Sequence, residues 1–525
     1  MRFCAARLLC ATLLAALLTG CAGVLPAVER TPTAARVAAP DSPLGGVARE
    51  AGIGTDESGV WPLLQASFAL DARLAMIESA TTSLDLQYYL IGNDSTGRLI
   101  LRALRDAAQR GVRVRLLVDD LYTADIEALL LGLAATPNVQ VRLFNPFVTE
   151  RSSSGRRLLA LFSQFKRLNH RMHNKLFVAD GVLGIVGGRN LADDYFLRGT
   201  MSNFIDFDLM LAGSVVGELN DWFDLYWNSP QVYPVDAIVR ASGGSVGDPA
   251  AARLRFEADT REDTRTVVPV RVDSFGAPAF TTALAERRFH FMKAESQSYA
   301  DSPNKIDPAN FSIAVDDTLA HRFLLQLSGA RREAHLMSPY FIPGKEALER
   351  IAALRADGVQ VRIVTNTLAV SDEPLVSVGL ARHQIELLKM GVELYELSSN
   401  RLKLDSVLRG LLGSSTGRLH AKLAFIDRRI VMVGSMNLDP RSSNINTEVG
   451  VRVDSAELAE KVLAAFKVDE LAGVYQVTLR PHGMGVRWTA MDGDVEEELD
   501  TDPDTSFWQR VRFMILSWFV PESQL

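Results

Sequence analysis

The chain has 525 residues, a formal net charge of −7, 47% hydrophobic and 23% charged residues. That length allows two ordinary domains with full cores, and the acidic balance argues against a general nucleic-acid binder, which needs a basic footprint. Beyond the N-terminal segment no run approaches the roughly 20 apolar residues of a membrane-spanning helix.

In chain order, Arg2 and Arg7 precede an apolar run, Leu8 to Leu18, which ends in Leu-Thr-Gly-Cys21. This has the form of a bacterial lipoprotein signal peptide over residues 1–21, cleaved before Cys21 with lipidation of that cysteine. Ala22 after it points to the outer membrane of the cell envelope, facing the periplasm. Cys4, Cys10 and Cys21 are all the cysteines, so the rest of the chain has no disulfide or thiolate metal site. Residues 22–60, rich in Ala, Pro, Gly, Ser and Thr, are expected to form a flexible tether.

Residues 61–240 and 271–490 read as two copies of one α/β domain. The first carries an apolar strand, Leu84 to Leu90 with Tyr88 and Tyr89, a helix-patterned stretch from Gly97 to Gln109, and the segment Arg110 to Val118. The second repeats this as His335 to Ile342, Lys345 to Ala356 and Asp357 to Thr365, with Gly111 and Gly358 at equivalent places. Strand and helix alternation of this kind gives a helix-covered sheet. Two long copies imply fused homologous domains with pseudo-twofold symmetry. Residues 241–270, Gly-, Ala- and charge-rich, read as an irregular linker. Residues 491–525 read as an acidic solvated linker followed by an amphipathic aromatic segment suited to a membrane interface.

Each copy then reaches the pattern H-x-K-x-x-x-x-D: His173, Lys175, Asp180, and His420, Lys422, Asp427, with matching positions 247 residues apart. In a strand the His and Lys would share a face and the Asp would point away. Asp180 and Asp427 are therefore read as supports for the turns that follow. Each motif runs into small residues and an Asn: Gly187, Gly188 and Asn190 in one, Gly434, Ser435 and Asn437 in the other. The glycines are expected to let backbone approach a ligand. Two imidazoles, two ammonium groups and two amides in one pocket can cleave a phosphodiester without a metal. The other six histidines, His170, His290, His321, His335, His383 and His482, are expected to be packed or solvated.

The paired motifs resemble those of the phospholipase D superfamily. Their surroundings (Arg171-Met-His-Asn-Lys, Val186-Gly-Gly-Arg-Asn, Gly434-Ser-Met-Asn-Leu-Asp-Pro-Arg-Ser, Asn446-Thr-Glu) resemble the bacterial cardiolipin synthases of the C-type branch, from about Ser67 onward. The resemblance implies two phospholipase D-like α/β domains with the active site at their interface. It implies a phosphatidyltransferase that makes cardiolipin from two phospholipids through a phosphohistidine. A phospholipase D with water as acceptor, or a metal-independent phosphodiesterase or nuclease, are the alternatives. His173 would be the nucleophile and His420 the acid/base, with Lys175, Lys422, Asn190 and Asn437 holding phosphate oxygens. In each half a downstream carboxylate would orient the imidazole, Asp206 (or Asp208) in the first and Glu448 in the second. Arg171 and Ser435 would contact substrate, and Arg441 and Ser442 would lend support. The implied partners are phosphatidylglycerol, and phosphatidylethanolamine as a further substrate. No cofactor and no metal are implied. The stretch Arg151 to Lys175, basic and apolar, could form a lip that docks anionic headgroups.

Overall fold

The computed structural model describes residues 25–148, 151, 164–261, 271–306, 318–371, 374–402, 416–466, 473–483, 485–492 and 495–517. Cys21 and the signal segment lie outside the described residues, as do residues 152–163 of the basic stretch.

Two large mixed sheets organise the chain. The first has nine strands in the order Met292–Lys293, Ser58–Leu63, Asp208–Gly213, Leu183–Gly187, Leu176–Ala179, Ser83–Tyr88, Arg113–Asp119, Val139–Phe144, Val232–Pro234. The second has ten: Glu295–Ala300, Val449–Asp454, Ile430–Gly434, Leu423–Ile426, Glu333–Met337, Gln360–Asn366, Glu393–Leu397, Val474–Leu479, Val486–Asp492, Val495–Leu499. Seven successive strands, from Asp208–Gly213 to Val232–Pro234, match Val449–Asp454 to Val474–Leu479 one for one. In both runs three neighbouring strands are parallel and the others antiparallel. The parallel strands need helical crossovers, supplied by Ser95–Gln109 and Lys345–Ala356. The first is N-capped by Asp94, whose carboxylate accepts from Gly97 N at 2.9 Å. Gly111 (φ 100°) and Gly358 (φ 82°) follow the two helices in the left-handed region, which glycine enters without a Cβ clash.

One apolar core is shared by the sheets. Leu176, Val178, Val186 and Leu209 of the first join Leu423, Phe425, Val431 and Val433 of the second, with the helices Val215–Trp227 and Ala456–Phe466 completing the cluster. Each sheet has a separate core against its own crossover helices. The halves are also stitched by main chain, Thr416–Leu419 pairing parallel with Ser202–Ile205.

The structure corrects four boundaries. Residues 25–57 are not a tether: Arg30 Nε donates to Val232 O, Thr33 N to Asn228 Oδ1 and Ala35 N to Asp224 Oδ2, while Leu44 and Val47 are fully buried. Small and proline residues resist regular structure, but an extended strap satisfies its donors from polar side chains already on the domain. The linker 241–270 contains a helix, Pro249–Asp259, capped by Asp248 and anchored by the buried Phe256. The second half begins later than 271, because Phe280–Glu286 packs in the first core and Met292 and Lys293 pair with the first sheet. The acidic stretch after 491 is a strand, Val495–Leu499, that hairpins onto Val486–Asp492. An edge strand with one solvated face accommodates carboxylates there.

Candidate active site

Neither HxK segment is itself strand. Regular pairing begins at Leu176 and Leu423, and each HxK segment leads into its strand by crossing to the other half. His173 N donates to Thr447 O at 2.9 Å, and His420 N donates to Ile205 O at 2.8 Å. Thr447 and Ile205 each stand one residue before a candidate carboxylate. The main chain thereby places Glu448 beside His173 and Asp206 beside His420. His173 Nδ1 lies 2.9 Å from Glu448 Oε2, and His420 Nδ1 lies 2.6 Å from Asp206 Oδ2. The expectation that each half orients its own imidazole is overturned, since the pairs are crossed. Asp208 is not an alternative: its carboxylate is buried between Arg73 (2.9 Å) and Arg189 (3.1 Å), where unpaired charge would be costly.

The lysines converge with the imidazoles. Lys175 Nζ donates to His173 O at 2.7 Å. Lys422 Nζ donates to His420 O at 2.5 Å and stands about equally close to both nitrogens of that ring, 3.0 and 3.1 Å. Burial, and then the neighbouring Lys422, hold the Lys175 amine well below its ordinary range. A phosphate anion bound between the two amines would favour their charged forms again. Burial also pushes the His173 ring down to about 4, against the opposing pull of Glu448. The ring is neutral at ordinary pH, with Nδ1–H donating to Glu448 and Nε2 carrying a lone pair. Burial alone would raise the Asp206 carboxyl, but His420, Lys422 and Arg189 hold it near 2. It is therefore ionised and placed to neutralise an imidazolium at His420.

Aromatic rings wall both imidazoles. Tyr89 stands edge-on to His173 at 4.9 Å between centroids, and Tyr195 and Phe204 stand against His420 at 5.1 and 4.8 Å. Tyr195 and Phe204 were absent from the sequence reading. Phe204 shares strand parity with Asp206, so the alternation that places one side chain in the site also places the other. Asn190 and Asn437 are buried, and neither Oδ1 has a hydrogen-bond partner among the described residues. Each amide thus keeps unspent acceptor capacity at its oxygen.

Other expected roles change. Arg171 does not line a substrate surface: it is fully buried, donates to His170 O and Asn145 O, and faces Asp119. Ser435 supports a carboxylate instead, its hydroxyl donating to Glu448 Oε2 at 2.5 Å. Of the basic lip, Arg151 pairs with Asp120 and Glu127 and Arg167 bonds Asn145, so these two cations, like Arg171, are spent internally. Gly187 and Gly188 serve the fold: a Cβ there would meet Asp208 and Asp206 carboxylate oxygens at 2.1 Å. At Gly434 it would strike Val449 O. Asp180 and Asp427, both at φ 53° in tight hairpin turns, are supports of wider reach than expected. Asp180 accepts from the amides of Thr81, Thr82 and Ser83, and Asp427 from those of Arg331, Arg332 and Glu333. Each fastens its hairpin to the start of the neighbouring central strand.

Residues 74–227 and 323–469 match the family described as "Cardiolipin synthase, PLD-like domain". The chain is 35% identical to cardiolipin synthase C of Escherichia coli K12 over 463 residues, 88% of this chain and 95% of that one. It is 26% identical to cardiolipin synthase 1 of Staphylococcus aureus COL, over 76% of this chain and 64% of that one. Among solved structures, a phosphatidylserine synthase from Haemophilus influenzae has a TM-score of 0.56 at 13% identity, covering 91% of this chain and 97% of that one. At that identity the likeness is one of fold.

Proposed function

The chain belongs to the phospholipase D superfamily, in its cardiolipin synthase-like branch, and we propose that it transfers a phosphatidyl group between phospholipids to make cardiolipin through a phosphohistidine. The observation that carries this is the crossed pair of His–carboxylate dyads, both complete, with both lysines buried and Lys422 near enough to act on the charge of Lys175 and of His173. His173 Nε2 attacks phosphorus, and the bond to the departing glycerol oxygen breaks as His420 gives that oxygen its proton. His420 then takes the proton of the incoming headgroup hydroxyl, whose oxygen displaces His173. Lys175 and Lys422, with the Asn190 and Asn437 amides, stabilise charge on the non-bridging oxygens.

Transfer rather than hydrolysis is favoured because the two rings are only 8% and 5% exposed. A phosphohistidine there is shielded from bulk water, and an alcohol held in the pocket competes well. Phosphatidylglycerol is the proposed donor, with phosphatidylglycerol or phosphatidylethanolamine supplying the second lipid. No helix of the described residues can span a membrane; we place the enzyme at the envelope surface through a lipid on Cys21. Purified protein given phosphatidylglycerol vesicles, with and without phosphatidylethanolamine, tests the activity by lipid mass spectrometry. Cardiolipin is expected; phosphatidic acid as the sole product would make the enzyme a hydrolase. Replacing Cys21 by Ser should release the protein from membranes in a fractionation.

A further inference from the structure

An apolar cavity of about 420 Å³ lies beside the motif strand of the second half. Leu324 and Leu327 of the helix Leu319–Ser328, Ile351 of Lys345–Ala356, and Met436 and Leu438 on either side of Asn437 line it. A narrower extension shares Phe323, Met436 and Leu438 and continues past Gly434 to Lys422. That smaller pocket holds only about 30 Å³, so the main cavity abuts the second motif at Asn437 and narrows sharply toward Lys422. His170, His321, Lys305 and Lys345 line its edge together with Glu346 and Asp439, so the polar edge carries both signs of charge. Protein interiors are otherwise close-packed, and none of the phosphoryl chemistry described above uses this space. Its size is that of a small-molecule site.

We propose that the cavity receives one fatty acyl chain of a phospholipid whose phosphate lies at Lys175 and Lys422, a site that rests on the phosphatidyltransfer reading. Bringing phosphorus to a buried imidazole drags the glycerol and the first methylenes of both chains out of the bilayer. Each methylene exposed to water on the way weakens binding by about fourfold. An apolar cavity that begins beside Asn437, between Met436 and Leu438, removes that penalty for one chain. The volume suits one chain, not two, so the second chain stays with the membrane.

The test uses the full chain and vesicles of phosphatidylglycerol bearing a diazirine midway along one acyl chain. After photolysis, peptide mass spectrometry is expected to find adducts on Leu324, Leu327 or Ile351. Ala320→Phe, at the partly exposed mouth, should lower them at least fivefold. With monomeric short-chain phosphatidylglycerols, kcat/KM should rise about fourfold per methylene in the wild type and less steeply in Ala320→Phe. Lipid products are measured in the same samples. Turnover of the diazirine lipid without adducts in the cavity, or an unchanged chain-length slope in Ala320→Phe, overturns the acyl site alone. Cavity adducts without phosphatidyl transfer would support the acyl site and sink the catalytic reading.

Discussion

His173 must be neutral to attack, and burial lowers its ring to about 4. The acid limb of kcat/KM, measured on a soluble phosphodiester, should therefore lie near pH 4. An unperturbed imidazole would place it near 6.5. Glu448 is the group that favours the protonated ring. Glu448→Gln removes that anion, so the limb should move to still lower pH. The rate should also fall by roughly 10²- to 10⁴-fold, because the ring loses both its fixed tautomer and the charge that balances the imidazolium in the transition state. A limb that stays put or rises in Glu448→Gln would contradict the geometry. The residues of this site were mostly legible in sequence, because duplication exposes positions that repeat. The crossed partners were not. Which carboxylate meets which ring is decided by main-chain bonds from His173 to Thr447 and from His420 to Ile205, contacts that no local spacing encodes.

Elements with a strong period were read well. The stretch Gly97 to Gln109 is a helix beginning two residues earlier, and Lys345 to Ala356 is helix over its whole predicted length. Elements held by tertiary contact alone were missed. The strap before Ser58 is one, and its burial makes a prediction: Leu44→Ala should cost about 2–5 kcal/mol in denaturant unfolding, whereas a free tether would register nothing. The hairpin Val486 to Leu499 is another. Its Trp488 Nε1 donates to Glu396 at 2.9 Å, and Gln384 donates to the same carboxyl. Burial raises Glu396 to about 8. Between pH 4.5 and 8 the folded chain then holds a proton that the unfolded chain releases. The stabilising contribution is complete below the unfolded value and is lost as pH rises through about 8. Thermal midpoints should accordingly fall on going from pH 5 to pH 8, on the order of several degrees. Glu396→Gln, neutral throughout, should flatten that slope; an unchanged slope would show that Glu396 titrates normally.

At the scale of the molecule, the shared core and the crossed dyads make one active site from two halves. Each half supplies one imidazole and the carboxylate for the other, so a step that uses His173 depends on a second-half residue. This separates the two stages of catalysis. A nitrophenyl phosphodiester has a leaving group that departs without protonation, so His420→Ala should still release nitrophenolate, but only about one equivalent, leaving the phosphoryl group with its remaining ester on His173. Within that background Asp206→Asn should change the burst rate little, because the ring it serves is gone. Glu448→Gln in the same background should slow the burst roughly 10²-fold or more, because it serves the ring still at work. Imidazoles oriented within their own halves would give the reverse, with Asp206→Asn harmful and Glu448→Gln silent. Rapid-quench measurement of the burst in the two double variants distinguishes these outcomes, and mass spectrometry of the quenched protein identifies the histidine that carries the phosphoryl group.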